Sequence, residues 1–263
     1  VGQLRRLLLT ALPKFALSKT TGWLTRRRIP TAWRAGLYRR FAARYGADLA
    51  EVDGELTEFR CLDEFFQRGL RPGSRAIAES PLVHANDGRI VTAGPITDGR
   101  IQQVKGRDYS VAELLLDEGL AAEVADGSQS TIYLAPGDYH RVHAPFAGIV
   151  ESIRSIRGTL FPVNPGAVGS IDRLFVRNAR VVFTLRAVDG RRGALVMVGA
   201  LNVGAIHQSV RVGQQLRAGD EVGRFGFGST TVSLIARGTH SFVTLPPEHR
   251  VWMGGDATSP PTQ

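Results

Sequence analysis

The sequence predicts an α+β fold in which a basic, helical N-terminal region packs on a mainly antiparallel β body of barrel or sandwich character. Three observations carry this expectation. Eleven of the 33 Lys and Arg residues, but only one of the 24 acids, fall within residues 1–50. One stretch there, TAWRAGLYRRFAARY, has helical apolar spacing. After Ser80 the texture changes to short runs rich in Val, Ile and Thr, bounded by Gly, Pro or Asp.

Taken in order, the first apolar run is Leu7 to Leu12, LLLTAL, far too short to span a bilayer. Arg5 and Arg6 precede it as in a signal peptide, but Pro13 and Lys14 end it and no small-residue cleavage site follows, so export is not expected. The chain begins with Val1, so an initiator residue or a longer N-terminus is expected ahead of it. Trp33, Leu37, Phe41 and Tyr45 then share one helical face beside Arg34, Arg39, Arg40 and Arg44. Such a helix either lies in the headgroup region of an anionic membrane or docks on the core; the concentration of charge favours the membrane. TEFRCLDEFFQRGL reads as a further helix from about Thr57 to Leu70, opened by Thr57 or Asp63 and closed by Pro72-Gly73. The expected division is 1–75, a helical membrane-associating region, and 76–263, a β-rich catalytic domain.

Within the β body, Asp189-Gly190 predicts a hairpin between RVVFTLRAV and ALVMVGAL. Ser110 to Glu113 reads as a capping box before Leu114-Leu115-Leu116, the one helix interrupting the strands. HAPFAGIVESIR and RVGQQLRAGDEVGRFGFG resemble the strand motifs of lipoyl- and biotin-carrier modules. A carrier presents a lysine at a hairpin tip, whereas Lys105 is the last lysine here, so only the architecture is expected to be shared.

Charge and cysteine content narrow the function classes. The net charge of +9 resides in the N-terminal region and the remainder is near neutral, unlike a nucleic-acid binder with a basic folded face. The single Cys61 excludes an intrachain disulfide and a thiolate zinc site, and fits a reducing compartment.

Three polar clusters interrupt the apolar body. HANDGRI contains the turn Asn86-Asp87-Gly88, where an aspartate ordinarily bonds its own backbone. YLAPGDYHRVHAP brings His140 and His143 within four positions. GFGST ends an apolar approach and opens the strand-like TTVSLI at Ser229. Asp, His and Ser together form a set of orienter, base and nucleophile whose order along the chain is free to vary. A hydrolase keeping Ser229 intact remains open, although G-F-G-S-T is not a nucleophile elbow. A zinc hydrolase with His84, Asp87, His140 and His143 ranks behind, because the H-x-x-H spacing is poor and Arg141 would repel a cation. A non-catalytic β-barrel binding module is the third alternative.

HANDGRI, YLAPGDYHRVHAP and FGST, in that order, resemble the bacterial phosphatidylserine decarboxylases. LDEFFQRGLRPGSRAI, QVKGRDYSVAELL, GTLFPVN, LFVRNARVV and VGALNVGAI extend the resemblance from about Leu62 to Leu245. It implies a zymogen that cuts itself between Gly228 and Ser229 into chains 1–228 and 229–263, which stay associated. Ser229 would attack the Gly228 carbonyl, with His143 as base and Asp87 fixing its tautomer. β-Elimination and hydrolysis would leave Ser229 as a pyruvoyl group, the only cofactor, with no metal. That group would form a Schiff base with phosphatidylserine, and His140 would handle protons in the decarboxylation. Thr230 is a further candidate for steadying the oxyanion. The resemblance also implies a homodimer bound peripherally at the cytoplasmic face of the inner membrane, with phosphatidylserine and the anionic surface as partners. Two departures stand out: Phe227 occupies a position where relatives often carry Leu, and Pro162 one where they carry Ser.

Overall fold

The computed structural model describes residues 20, 22–104, 106–200, 206–226 and 229–258. The basic run before Thr20, Lys105, Phe227 and Gly228 lie outside these. Eight antiparallel strands, curled into half a barrel, form the main sheet. In spatial order they are β10 (Gln215–Leu216), β6 (Gly148–Ile156), β7 (Arg180–Ala187), β8 (Arg192–Gly199), β12 (Ser229–Ile235), β4 (Ser128–Leu134), β1 (Gly88–Pro95) and β13 (Arg250–Val251). A second sheet is ordered β5 (Arg141–His143), β11 (Glu221–Phe225), β9 (Ile206–Gln208), and β2 (Arg100–Val104) pairs with β3 (Arg107–Ser110). The mixture of helix and antiparallel sheet bears out the α+β expectation.

Local chemistry explains several elements. The β7–β8 hairpin turns at Asp189-Gly190, where Gly190 adopts φ 86, a left-handed value favouring glycine. Ser110 accepts from the Ala112 N–H at 3.1 Å and starts the short helix Val111–Leu115 where the sequence places it. The expected capping box does not close, because Glu113 pairs with Arg173, and the helix is not alone: Glu118–Val124, Pro165–Val168 and Leu174–Arg177 are helical too. Every residue of β12 is buried, because the strand is paired on both edges and covered on both faces. With its Val232 the core gathers Leu114, Phe161, Phe175 and Phe183.

The N-terminal region departs from expectation in two respects. Helix α1 spans Thr31–Tyr45, but its inward residues are Tyr38 and Ala42. Tyr38 stacks on Phe65 at 4.4 Å and its hydroxyl donates to the Phe59 carbonyl. Phe41, from the predicted stripe, meets Phe65 and Phe66 edge-on, while Trp33 and Leu37 are 70% and 43% exposed. The helix expected over Thr57–Leu70 shrinks to α2, Leu62–Phe66. The carbonyls that would have extended it are taken from outside: Arg34 donates to Thr57, Tyr38 to Phe59 and the Ile29 N–H to Arg60. A backbone acceptor engaged elsewhere is not there to close a helical turn.

Candidate active site

The fold brings the three polar clusters together through backbone ladders. Strand β5, bearing His143, pairs with β11, and the Phe225 N–H donates to the His140 carbonyl. Strand β11 leads to Ser229, which heads β12 opposite Leu134 on one side and Gly199 on the other. The segment before Asp87 is bonded to both: the His143 N–H donates to Ala85, and the Thr231 hydroxyl donates to Asn86 Oδ1 at 2.6 Å. Gly88 follows because a Cβ there would collide with the Tyr133 carbonyl.

His143 is buried, with Nδ1 2.7 Å from the Gly219 carbonyl and Nε2 3.1 Å from the Tyr139 hydroxyl. A carbonyl can only accept, so Nδ1 carries the proton and Nε2 presents its lone pair. Burial holds the imidazole's pKa below its ordinary value, against the Gly219 bond and the charge of Glu221, which favour protonation. The tautomer is therefore fixed by a backbone carbonyl, where the sequence had pointed to Asp87.

Asp87, 1% exposed, has a different partner. Arg75 grips both its oxygens at 2.6–3.2 Å and also bonds Glu51 at 2.6 and 2.9 Å, and the Met253 N–H adds a bond to Asp87 at 2.8 Å. Burial works against the guanidinium's charge, yet its bonds to Asp87 and Glu51 raise its pKa above the ordinary value. Asp87 thus reaches His143 as a nearby negative charge.

His140 is fully buried. Its Nδ1 lies 2.9 Å from the Asp138 carbonyl, its ring packs 3.9 Å from that of Phe66, and its Nε2 has no hydrogen-bond partner. Burial pushes its pKa down to about 3, aided by the nearby Arg68 cation and opposed by the Asp138 bond. Ser229 Oγ is likewise buried and unpartnered. Because side chains alternate along a strand, Thr231 shares the Ser229 face and Thr230 projects from the other. The Thr230 hydroxyl, also unpartnered, therefore lies across the sheet from Ser229. Pro162 follows Phe161, whose backbone is bonded on both sides by Asn178. Asn178 also donates to the carbonyl of Gly199, the register partner of Ser229. Among the described residues, no group of three or more His, Cys, Asp or Glu is arranged to hold a metal ion.

Sequence reasoning passed over Arg68, Arg75, Tyr139, Gly219 and Met253. Arg68 and Arg75 lie inside LDEFFQRGLRPGSRAI and Tyr139 inside YLAPGDYHRVHAP, so the matching blocks were the available signal. Nothing in the side-chain pattern marks the backbone groups of Gly219 and Met253.

Buried hydrogen-bonding groups that bond to nothing are costly to a fold, and buried titratable groups with perturbed pKa values beside them mark functional sites. Comparison with known proteins tells of what kind. The family model of phosphatidylserine decarboxylase matches residues 62–258. The chain is 41% identical over 251 residues to a phosphatidylserine decarboxylase proenzyme of Anaeromyxobacter sp. (strain K), covering 88% of each chain. It is 39% identical over 256 residues to that of Chromobacterium violaceum, covering 88% of this chain and 89% of the relative. For the Brevibacillus brevis proenzyme the identity is 36% over 248 residues, with 87% of each chain covered. The chain belongs to the phosphatidylserine decarboxylase family and is a carboxy-lyase.

Proposed function

We propose that this chain converts phosphatidylserine to phosphatidylethanolamine and carbon dioxide with a pyruvoyl group made from its own Ser229. One observation carries the reading: a buried serine hydroxyl without a hydrogen-bond partner heads the strand immediately after the peptide bond it would attack. Ser229 Oγ displaces the Tyr139 hydroxyl from the His143 Nε2 lone pair, gives its proton to that nitrogen and adds to the Gly228 carbonyl carbon. The C–N bond breaks as the Ser229 amine takes a proton, which leaves an ester. Loss of the Ser229 α-proton expels the Gly228 carboxylate and gives dehydroalanine, and water then releases ammonia and leaves a ketone. Asp87, neutralised in part by Arg75, stabilises the imidazolium through space. A ketone at position 229, held at the head of β12, would supply a carbonyl for the lipid amine and a sink for the electron pair freed as carbon dioxide departs. His140, with a bare Nε2 in dry surroundings, carries protons in that second reaction.

The 1–75 and 76–263 division, peripheral attachment to the cytoplasmic membrane face and a homodimer belong to the same proposal. Exposed Trp23, Leu24, Trp33 and Leu37 beside Arg27, Arg34 and Arg40 support the attachment. Among the described residues, no helix is long and apolar enough to cross a membrane. Kinship to carrier-module architecture is supported by the pairing of the two resembling segments at both ends, Ile149 with Gln215 and His143 with Glu221.

A denaturing gel with intact-mass measurement tests the central step. Active protein should give two fragments, the smaller starting with a pyruvoyl residue, and Ser229→Ala should give one uncut species. A single full-length species from active protein would overturn the reading in favour of a hydrolase with an intact serine.

A further inference from the structure

Arg68 presents a physical problem that the steps above leave unsolved. The residue is 3% exposed, and of its guanidinium only Nη2 is bonded, to the carbonyls of Gly137 at 2.8 Å and Asp138 at 3.3 Å. Nε and Nη1 are buried with no partner. The acids whose charge reaches it are already engaged: Asp138 pairs with Arg250 at 2.7 Å, and Asp87 and Glu51 share Arg75. The Phe65 ring, 5.1 Å from Cζ, offers a cation–π contact but no hydrogen-bond acceptor. A buried cation with two unbonded nitrogens and no carboxylate partner of its own is expensive unless a counter-charge arrives to complete it. Carbonyl ligation alone does not force this, since the equally buried Arg180 spreads bonds from Nε, Nη1 and Nη2 over four carbonyls.

Position says where the counter-charge comes from. Arg68 and His140 bond the same Asp138 carbonyl, and Phe66, two residues before Arg68, packs on the His140 ring. The vacant donors therefore belong to the neighbourhood of His140's open Nε2.

We propose that Arg68 is the anion anchor of the substrate, taking a phosphodiester oxygen of the phospholipid headgroup on its vacant nitrogens. The inference rests on phosphatidylserine being the substrate, but not on how Ser229 is processed. The headgroup offers two anions, a carboxylate and a phosphodiester, and the reaction decides between them. The carboxylate loses its charge as carbon dioxide forms, so a cation bound to it would stabilise the reactant more than the transition state. The phosphodiester keeps its charge throughout. Binding energy spent on that non-reacting group positions the amine and the scissile bond without opposing the chemistry. Arginine suits the task because it stays charged in dry surroundings and donates along several directions to phosphate oxygens.

The test uses the full-length enzyme and three soluble competitors of phosphatidylserine turnover. Glycerophosphoethanolamine carries amine and phosphodiester, serine carries amine and carboxylate, and ethanolamine carries the amine alone. The expected result is competition by glycerophosphoethanolamine at least tenfold stronger than by the other two. Serine competing as strongly would place the carboxylate on the anchor, and equal potency of all three would mean that no anion is held; either result overturns the proposal without any variant. Arg68→Gln should then raise KM for phosphatidylserine and weaken glycerophosphoethanolamine about tenfold each, change kcat less, and leave ethanolamine competition unmoved. Arg68→Lys should recover part of the loss. A kcat-only defect, or equal weakening of all three competitors, would show that Arg68 merely supports the fold. Failure of Ser229 processing would show separately, as absence of the second fragment on a denaturing gel.

Discussion

Removing the Arg75 side chain should expose how much of the fold hangs on the carboxylate beneath it. Arg75→Met keeps length and apolar bulk while leaving Asp87, 1% exposed, with the Met253 N–H as its remaining donor. Breaking a buried ion pair by deleting one partner costs about 3–5 kcal/mol, because the other charge stays uncompensated. The Glu51 arm adds little, since that carboxylate is 30% exposed and water screens it to about 0.2–1 kcal/mol. The guanidinium also sits 4.7 Å over the Trp252 ring, a contact worth about 0.5–1 kcal/mol at a partly exposed site. The expected loss is thus about 4–7 kcal/mol, a large share of the roughly 5–15 kcal/mol of a typical domain. Urea unfolding followed by tryptophan fluorescence would read it as a lower midpoint at unchanged slope. All variants should carry Ser229→Ala, so that a single uncut species is compared. Adding Asp87→Asn to Arg75→Met should cost less than the two changes summed, with a coupling of about 1–3 kcal/mol. A loss below about 1 kcal/mol, the scale of an exposed pair, or a strictly additive cycle, would refute the reasoning.

Stability should also fall as the solution is acidified from pH 6.5 towards 4. Burial depresses the folded-state pKa values of His84 to about 4, of His140 to about 3, and of His143 in the same direction, so below 6.5 the unfolded chain binds protons that the folded chain refuses. Each such histidine steepens the slope by up to about 1.4 kcal/mol per pH unit; urea midpoints at pH 7, 6 and 5 measure it, and His84→Gln should flatten it by one histidine's share. Thr231→Val, nearly isosteric, removes the donor to buried Asn86 Oδ1 and should cost about 1–3 kcal/mol in the same assay; a neutral result would mean that the strand and the Asp87 loop are joined by other contacts. Replacing exposed Trp33 and Leu37 together by Ser should leave the urea midpoint within about 0.5 kcal/mol of its starting stability while reducing sedimentation with anionic vesicles. Unchanged sedimentation would remove this face from the membrane proposal.

Local signals in the sequence were reliable where one residue's chemistry decides the backbone. The turn at Asp189-Gly190, the helix start at Ser110 and the strand opening at Ser229 all stand where their residues indicate. Periodicity was less decisive in α1, since Trp33, Leu37, Phe41 and Tyr45 mark a face without saying whether protein or solvent meets it. The overlong Thr57–Leu70 helix failed because distant donors from Ile29, Arg34 and Tyr38 capture its carbonyls, which no local window reveals. At the candidate site the three clusters were legible as residue types. Their actual partners, Arg75 for Asp87 and the Gly219 carbonyl for His143, arise from long-range closure.

The placement of β12 has a mechanical consequence for any break in the backbone just ahead of it. Seven residues, Ser229 to Ile235, are zipped to β8 along one edge and to β4 along the other, and further on Arg250 and Val251 clasp β1. A short tail severed at that point has no free edge from which to peel. To leave, it would have to split the half-barrel down its middle and strand two rows of amides without acceptors. Breaking one peptide bond there would change the covalent map of the molecule while its shape stays locked.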